Sequence, residues 1–158
     1  MNNKLEYKFI FDWILINKLA VGNCPTKEEH LNLLRKKNVK NILGLCGQDE
    51  VKWHENIEKE FSCFRYVLPD SHQKTLPTLE QLNTAFNLLK DLVSKDITFI
   101  HCVASMERSP LLCILFVMDK YNLSLEEGLD FVKRVHNNTN PTNHQLSCIK
   151  DFIMNKNR

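Results

Sequence analysis

The sequence predicts an α/β fold, with a central, mostly parallel sheet of about five strands and helices on both faces. Three observations predict it. Strand-like and helix-like segments alternate along the chain, VKNILGLC reads as a buried strand and ITFIHC as a continuous apolar one, and the helix candidates carry apolar residues at helical spacing. Unbroken apolar strands belong to a sheet buried on both faces, and in an alternating chain such a sheet is parallel.

KLAVG at 18–22 reads as a short strand stopped by Gly22. Pro25 and Thr26 open a helix over KEEHLNLLRKK, acidic at its start and basic at its end, as the helix dipole favours. VKNILGLC at 39–46 is a buried strand closed by Gly47, and DEVKWHENIEKE at 49–60 reads as a polar surface helix. SCFRYVLP at 62–69 is a strand ending at Asp70. Thr78 caps a helix over LEQLNTAFNLLKDLVSK, where Leu79, Leu82, Phe86, Leu89 and Val93 recur at helical spacing. ITFIHC at 97–102 is the next strand, and helices near 109–121, 124–136 and 142–155 follow. Ligands of such sheets bind beyond the carboxyl ends of the strands, where Cys46-Gly47, Pro69-Asp70 and His101-Cys102 converge.

At 158 residues the chain is expected to form one domain over 1–158, large enough for a core without disulfides or metals. A net charge of +2 with no basic run gives no electrostatic footprint for nucleic acid. The longest strictly apolar run, Leu111 to Met118, falls far short of the ~20 residues of a membrane span, so no membrane partner is expected. Glu6, Lys8 and Asp12 interrupt the apolar N-terminal stretch, so a signal peptide is not expected either. The six cysteines, at 24, 46, 63, 102, 113 and 148, include no C-x-x-C pair, and no histidine lies at zinc-ligand spacing from them. Reduced thiols in a cytoplasm, with no metal and no cofactor, are the expectation.

The chemistry concentrates in HCVASMERSP at 101–110. Ser109 is a good N-cap and Pro110 a good first helical residue, so residues 102–108 join a strand end to a helix N-terminus. Unpaired N–H groups and the positive end of the dipole favour an anion there. Arg108 adds a planar two-pronged donor to the same oxyanion. The field that draws the anion also favours the thiolate form of a cysteine. One loop thus supplies a nucleophile, Cys102, and a cradle for a tetrahedral dianion, which is what phosphoryl transfer to sulfur requires.

His101-Cys102-(VASME)-Arg108-Ser109 resembles the HC-x5-RS signature of the cysteine-dependent protein tyrosine phosphatases, and the chain's length suits their dual-specificity branch. KLAVGNCPTKEEHLNLLRKKNVKNILGLC resembles that branch's opening strand–helix–strand, YVLPD its acid-bearing segment and, more loosely, NPTNHQL its C-terminal motif; the likeness covers residues 15–155. The resemblance implies that fold and the hydrolysis of phosphomonoesters on proteins or small molecules through a cysteinyl phosphate. It implies that Cys102 attacks phosphorus, and that the backbone of Val103, Ala104, Ser105, Met106, Glu107 and Arg108 holds the phosphate. Arg108 would also stabilise the transition state. Ser109, beyond its cap role, would hydrogen-bond the departing sulfur, and His101 would brace the loop.

The leaving oxygen needs a proton. Asp70 closes a strand and matches the family's acid position, with Asp49 and then Glu50 as alternatives. Asp91 falls within a helix and Asp96 at the opposite edge of the sheet. Ser105 stands where the family commonly has Gly; a positive φ there would strain it, and an inward N–H at little cost is the expectation. Glu107 weighs against highly charged substrates such as phosphoinositides. Cys46 ends the strand that the resemblance places beside the Cys102 strand, and is a core thiol or the partner of a peroxide-induced disulfide with Cys102. Two other function classes stay open: a catalytically inactive phosphoprotein-binding module of this fold, and a sulfurtransferase or arsenate reductase with a C-x5-R loop.

Overall fold

The computed structural model describes residues 7–157, so Glu6 and the residues before it lie outside the description. Five strands form one sheet in the order β1-β2-β5-β3-β4. They are β1 (Phe11–Leu15), β2 (Leu19–Asn23), β3 (Asn41–Gly44), β4 (Ser62–Arg65) and β5 (Thr98–Cys102). β2, β5, β3 and β4 are parallel, and β1 pairs antiparallel with β2. The helices are α1 (Glu28–Lys36), α2 (Ile57–Glu60), α3 (Leu79–Lys95), α4 (Arg108–Tyr121), α5 (Leu125–Val135) and α6 (Asn143–Lys156).

Alternate side chains of each strand face opposite sides of the sheet, and the core divides accordingly. Val21, Leu43 and Ile100 lie in register and pack with Leu82, Phe86 and Leu89 of α3, Leu111 to Met118 of α4, Val132 of α5 and Ile149 of α6. Ala20, Ile42 and Phe99 form the neighbouring row on the other face, beneath Leu31 and Leu34 of α1 and Ile57 of α2. The expected mostly parallel sheet with two covered faces is therefore present.

Several local expectations change, among them the strand read over 62–69, which ends at Arg65 and leaves Asp70 five residues beyond it. β1 had no counterpart in the strand readings. It turns back through Asn17 in the left-handed region (φ 59), and its apolar side chains divide between the layers, Ile14 to one and Phe11 and Trp13 to the other. Gly22 does not stop β2, which runs on to Asn23. Its missing Cβ leaves room for the Ile10 carbonyl, which any larger residue would strike. The helix read over 49–60 shrinks to Ile57–Glu60. Glu50 instead folds back on Gly47, and Trp53 turns inward to His101 at the end of the sheet. The capped helices match better. Thr78 forms a capping box with Gln81, and Ser124 and Thr142 do the same with Glu127 and Gln145.

Candidate active site

β5 ends at Cys102 and α4 begins at Arg108, so residues 103–107 loop over the carboxyl end of the parallel strands. A cleft of about 370 Å³ opens there, lined by Glu50, Asp70, His72, Cys102, Val103, Ala104, Met106, Glu107 and Arg108. Three segments far apart in the chain meet in it, as the topology requires.

Cys102 is buried except for 3% of its surface, and its Sγ lies 3.2 Å from Ser109 Oγ. The α4 cap lies two residues earlier than expected. Glu107 occupies the cap position and Ser109 the second helical position, so the Ser109 hydroxyl is not spent on capping and turns to the sulfur. Ser105 adopts φ 60, the left-handed region. The loop thus does use a positive φ there, and a residue with a Cβ bears its strain. Ser105 is fully buried and its side chain leaves the cleft for the interior.

Arg108 is 5% exposed, and its donors are partly committed. Nη1 donates to the carbonyls of Leu45 (3.3 Å) and Leu68 (3.2 Å) and to Glu50 Oε2 (3.1 Å), while Nη2 donates to Glu50 Oε1 (2.7 Å). Glu50 is itself held by the Gly47 N–H at 2.7 Å. Its carboxyl sits below the usual carboxylate range, first because of the hydrogen bond from Arg108. Of the five guanidinium hydrogens, those on Nε and one on Nη2 are left, a parallel pair that matches two oxygens of a phosphate.

Asp70 lines the cleft with Oδ2 3.8 Å from Arg108 Nη2, and its other oxygen caps a turn at Ser71–Gln73 by accepting the His72 N–H at 3.2 Å. Asp49 is exposed and outside the lining. Glu50 lines the cleft with both carboxylate oxygens accepting from Arg108.

His101 is fully buried and its imidazole is pushed down to about 4, first by burial. Its Nε2 accepts the Trp53 indole N–H at 2.7 Å, which leaves the proton on Nδ1, 3.1 Å from the Cys102 carbonyl. Arg65 stacks over Trp53, 4.1 Å from the ring centroid, and donates to the Cys46 carbonyl. A neutral His101 is thus wedged behind the loop by the segment misread as a helix. Cys46 lies 3.9 Å from His101 Nδ1 as a free thiol, pushed up to about 11 by burial. Burial pushes Cys24 and Cys63 up to about 12.

The sequence reading named the loop, Arg108 and Asp70 but missed the clamping by Glu50, the wedge by Trp53 and the place of His72 in the cleft. Only Glu50 carried a signal, a carboxylate just past a strand end.

The family model "Dual specificity phosphatase, catalytic domain" matches residues 19–153. Human dual specificity protein phosphatase 7 is 26% identical over 130 residues, covering 82% of this chain and 30% of the relative, so the chain spans under a third of that protein's length. Mouse phosphatidylglycerophosphatase and protein-tyrosine phosphatase 1 is 22% identical over 147 residues, covering 89% of this chain and 76% of the relative. A crystal structure of Tk-PTP in its active form superposes with a TM-score of 0.76 at 21% identity, covering 90% of this chain and 95% of that one.

Proposed function

The chain belongs to the dual specificity phosphatase family, and from that membership we propose that it hydrolyses phosphomonoesters through a cysteinyl-phosphate intermediate. Phosphotyrosine, phosphoserine or phosphothreonine on proteins is the substrate class we favour, with residues 1–158 as one catalytic domain working in the cytoplasm. The observation that carries the reading is a sulfur 3.2 Å from a hydroxyl, in a cleft that also holds the free edge of a guanidinium and a carboxyl group.

Cys102 Sγ attacks phosphorus in line with the leaving oxygen, forming the S–P bond as the P–O bond breaks. The Nε and Nη2 hydrogens of Arg108, with the loop amides, take the charge on the equatorial oxygens. Asp70 gives its proton to the leaving oxygen, then as carboxylate takes a proton from the water that attacks the thiophosphate. Sulfur leaves as an anion, to which the Ser109 hydroxyl donates. Acidic residues around the cleft (Glu50, Asp70, Glu107) and the lack, among the described residues, of a lining Lys or further Arg beside Arg108 weigh against substrates with several phosphates, so phosphoproteins come ahead of phosphoinositides.

The test is phosphate release from phosphopeptides, inositol phosphates, sugar phosphates and mononucleotides, with Cys102→Ser as control. Release from phosphopeptides that the Cys102→Ser variant abolishes is the expected result. Oxyanion binding without turnover on any of them would make the chain a phosphate reader instead.

A further inference from the structure

The side of the phosphate loop facing away from the cleft is occupied by the segment between α5 and α6. Successive loop carbonyls are taken in turn. Asn138 Nδ2 donates to Ala104 O at 3.3 Å, His136 Nε2 to Ser105 O at 2.7 Å, and the Asn140 N–H to Met106 O at 2.7 Å. Gln145 Nε2 donates to the Glu107 carboxylate at 3.3 Å. In a trans peptide the C=O and the following N–H point in opposite directions. Fixing the carbonyls of 104, 105 and 106 toward this segment therefore turns the amides of Ser105, Met106 and Glu107 away from it.

His136 is the centre of that grip. It is fully buried, and Nε2 also lies 3.0 Å from Ser105 Oγ, while Nδ1 lies 2.7 Å from Asp12 Oδ2 on β1. Nε2 faces a carbonyl and Nδ1 a carboxylate, so both contacts are satisfied when each nitrogen carries a hydrogen. The Ser–His–Asp order invites comparison with a hydrolytic triad, but Ser105 and His136 have no exposed surface and Nε2 is held by a carbonyl. The arrangement is built to hold a backbone. Ser105 is the loop residue at φ 60, the conformation that disfavours a side chain, and its hydroxyl and its carbonyl both meet the imidazole.

We propose that His136, braced by Asp12, is a positioning residue that locks Ser105 in its left-handed conformation and so aims the loop amides at the phosphate. This rests on the loop being the phosphate cradle of the proposed function. The test uses the full chain with His136→Ala, His136→Gln, Ser105→Gly and the Ser105→Gly/His136→Ala double variant. Three readouts are taken: inorganic phosphate affinity by calorimetry, kcat/KM on p-nitrophenyl phosphate, and amide exchange at 105–107 against β5.

Losing the imidazole's contacts with the Ser105 carbonyl and hydroxyl should weaken phosphate binding and kcat/KM by roughly 10- to 100-fold and speed loop exchange comparably, with β5 unchanged. Glycine adopts φ 60 freely, so the same His136→Ala change made on the Ser105→Gly chain should cost less than about a third of that factor. Equal factors in both backgrounds, or loop exchange within about 2-fold of wild type in His136→Ala, would overturn the proposal. If His136→Ala also unprotects β5, the judgement passes to His136→Gln, which keeps one donor and should speed loop exchange alone; exchange unchanged there would overturn it. Absent turnover in the wild type would sink the proposed function, while the exchange readout would still decide this one.

Discussion

Two carboxylates line the cleft within reach of Arg108, and their assignments predict opposite kinetic signatures. Glu50 makes two charged hydrogen bonds to the guanidinium, at 2.7 and 3.1 Å, whereas Asp70 stands 3.8 Å off. Glu50→Gln keeps one acceptor and replaces the other oxygen with a donor that faces Arg108. The loss of one charge-assisted bond is worth about 1.5–3 kcal/mol, or roughly 10- to 150-fold in kcat/KM. Because the clamp acts on the phosphoryl charge and not on the leaving group, the factor should be the same for p-nitrophenyl phosphate and for a phosphoserine peptide. Asp70→Asn removes the proton donor, and general acids contribute about 10²–10⁴-fold. That factor should appear in full for phosphoserine, whose alkoxide needs the proton, and shrink for p-nitrophenolate, which leaves without it. The assay is steady-state kinetics of both variants on both esters. A leaving-group-dependent loss in Glu50→Gln with a uniform loss in Asp70→Asn would exchange the two assignments and refute the reasoning.

His101 makes stability depend on pH. Its pKa of about 4 in the fold lies below the ordinary 6.5, so the unfolded chain binds the extra proton between those values. Its contribution is complete above pH 6.5, declines as pH falls, and is gone below 4. The gap of about 2.5 pH units, at ~1.36 kcal/mol each, makes about 3 kcal/mol. Urea melts should lose at least that much from pH 7 to 4, and His101→Asn should remove most of the slope above pH 5, leaving the parts due to His30, which burial also lowers, and to Glu50 and Glu60, which their arginine partners hold low. Ser109→Ala should slow breakdown of the intermediate more than its formation, so that a burst of p-nitrophenolate precedes a steady state slowed roughly 10-fold or more; no burst would detach the hydroxyl from the sulfur's departure. The Cys46 thiol, pushed up to about 11, is almost wholly protonated at neutral pH and a slow partner for an oxidised Cys102. Peptide maps of peroxide-treated chain at pH 7 should therefore show oxyacids of Cys102 ahead of a 46–102 disulfide, and a dominant disulfide would contradict this.

What the sequence disclosed and what it withheld divide along a physical line. The loop, its Arg and the helix after it lie within ten residues, and backbone physics ties them together, so HCVASMERSP was readable by itself. The central strands β2, β3 and β5 were readable because burial on both faces favours a mostly apolar run. β1 was not, since its side chains serve two layers from an edge position and Asp12 breaks the run to reach His136. Residues 49–60 have a helix-like polar composition, and nothing local says that Trp53 will be drawn to His101, 48 residues away. The groups that hold the loop stand far from it in the chain: Glu50 lies 58 residues from Arg108, and Asp12 lies 124 from His136. Such partners are brought together by topology, and no spacing rule encodes them. Ser105 alone gave a local hint. A Cβ at a position that needs a positive φ requires compensation from elsewhere, and the buried imidazole that supplies it makes the phosphate loop of this chain depend on a histidine outside the signature.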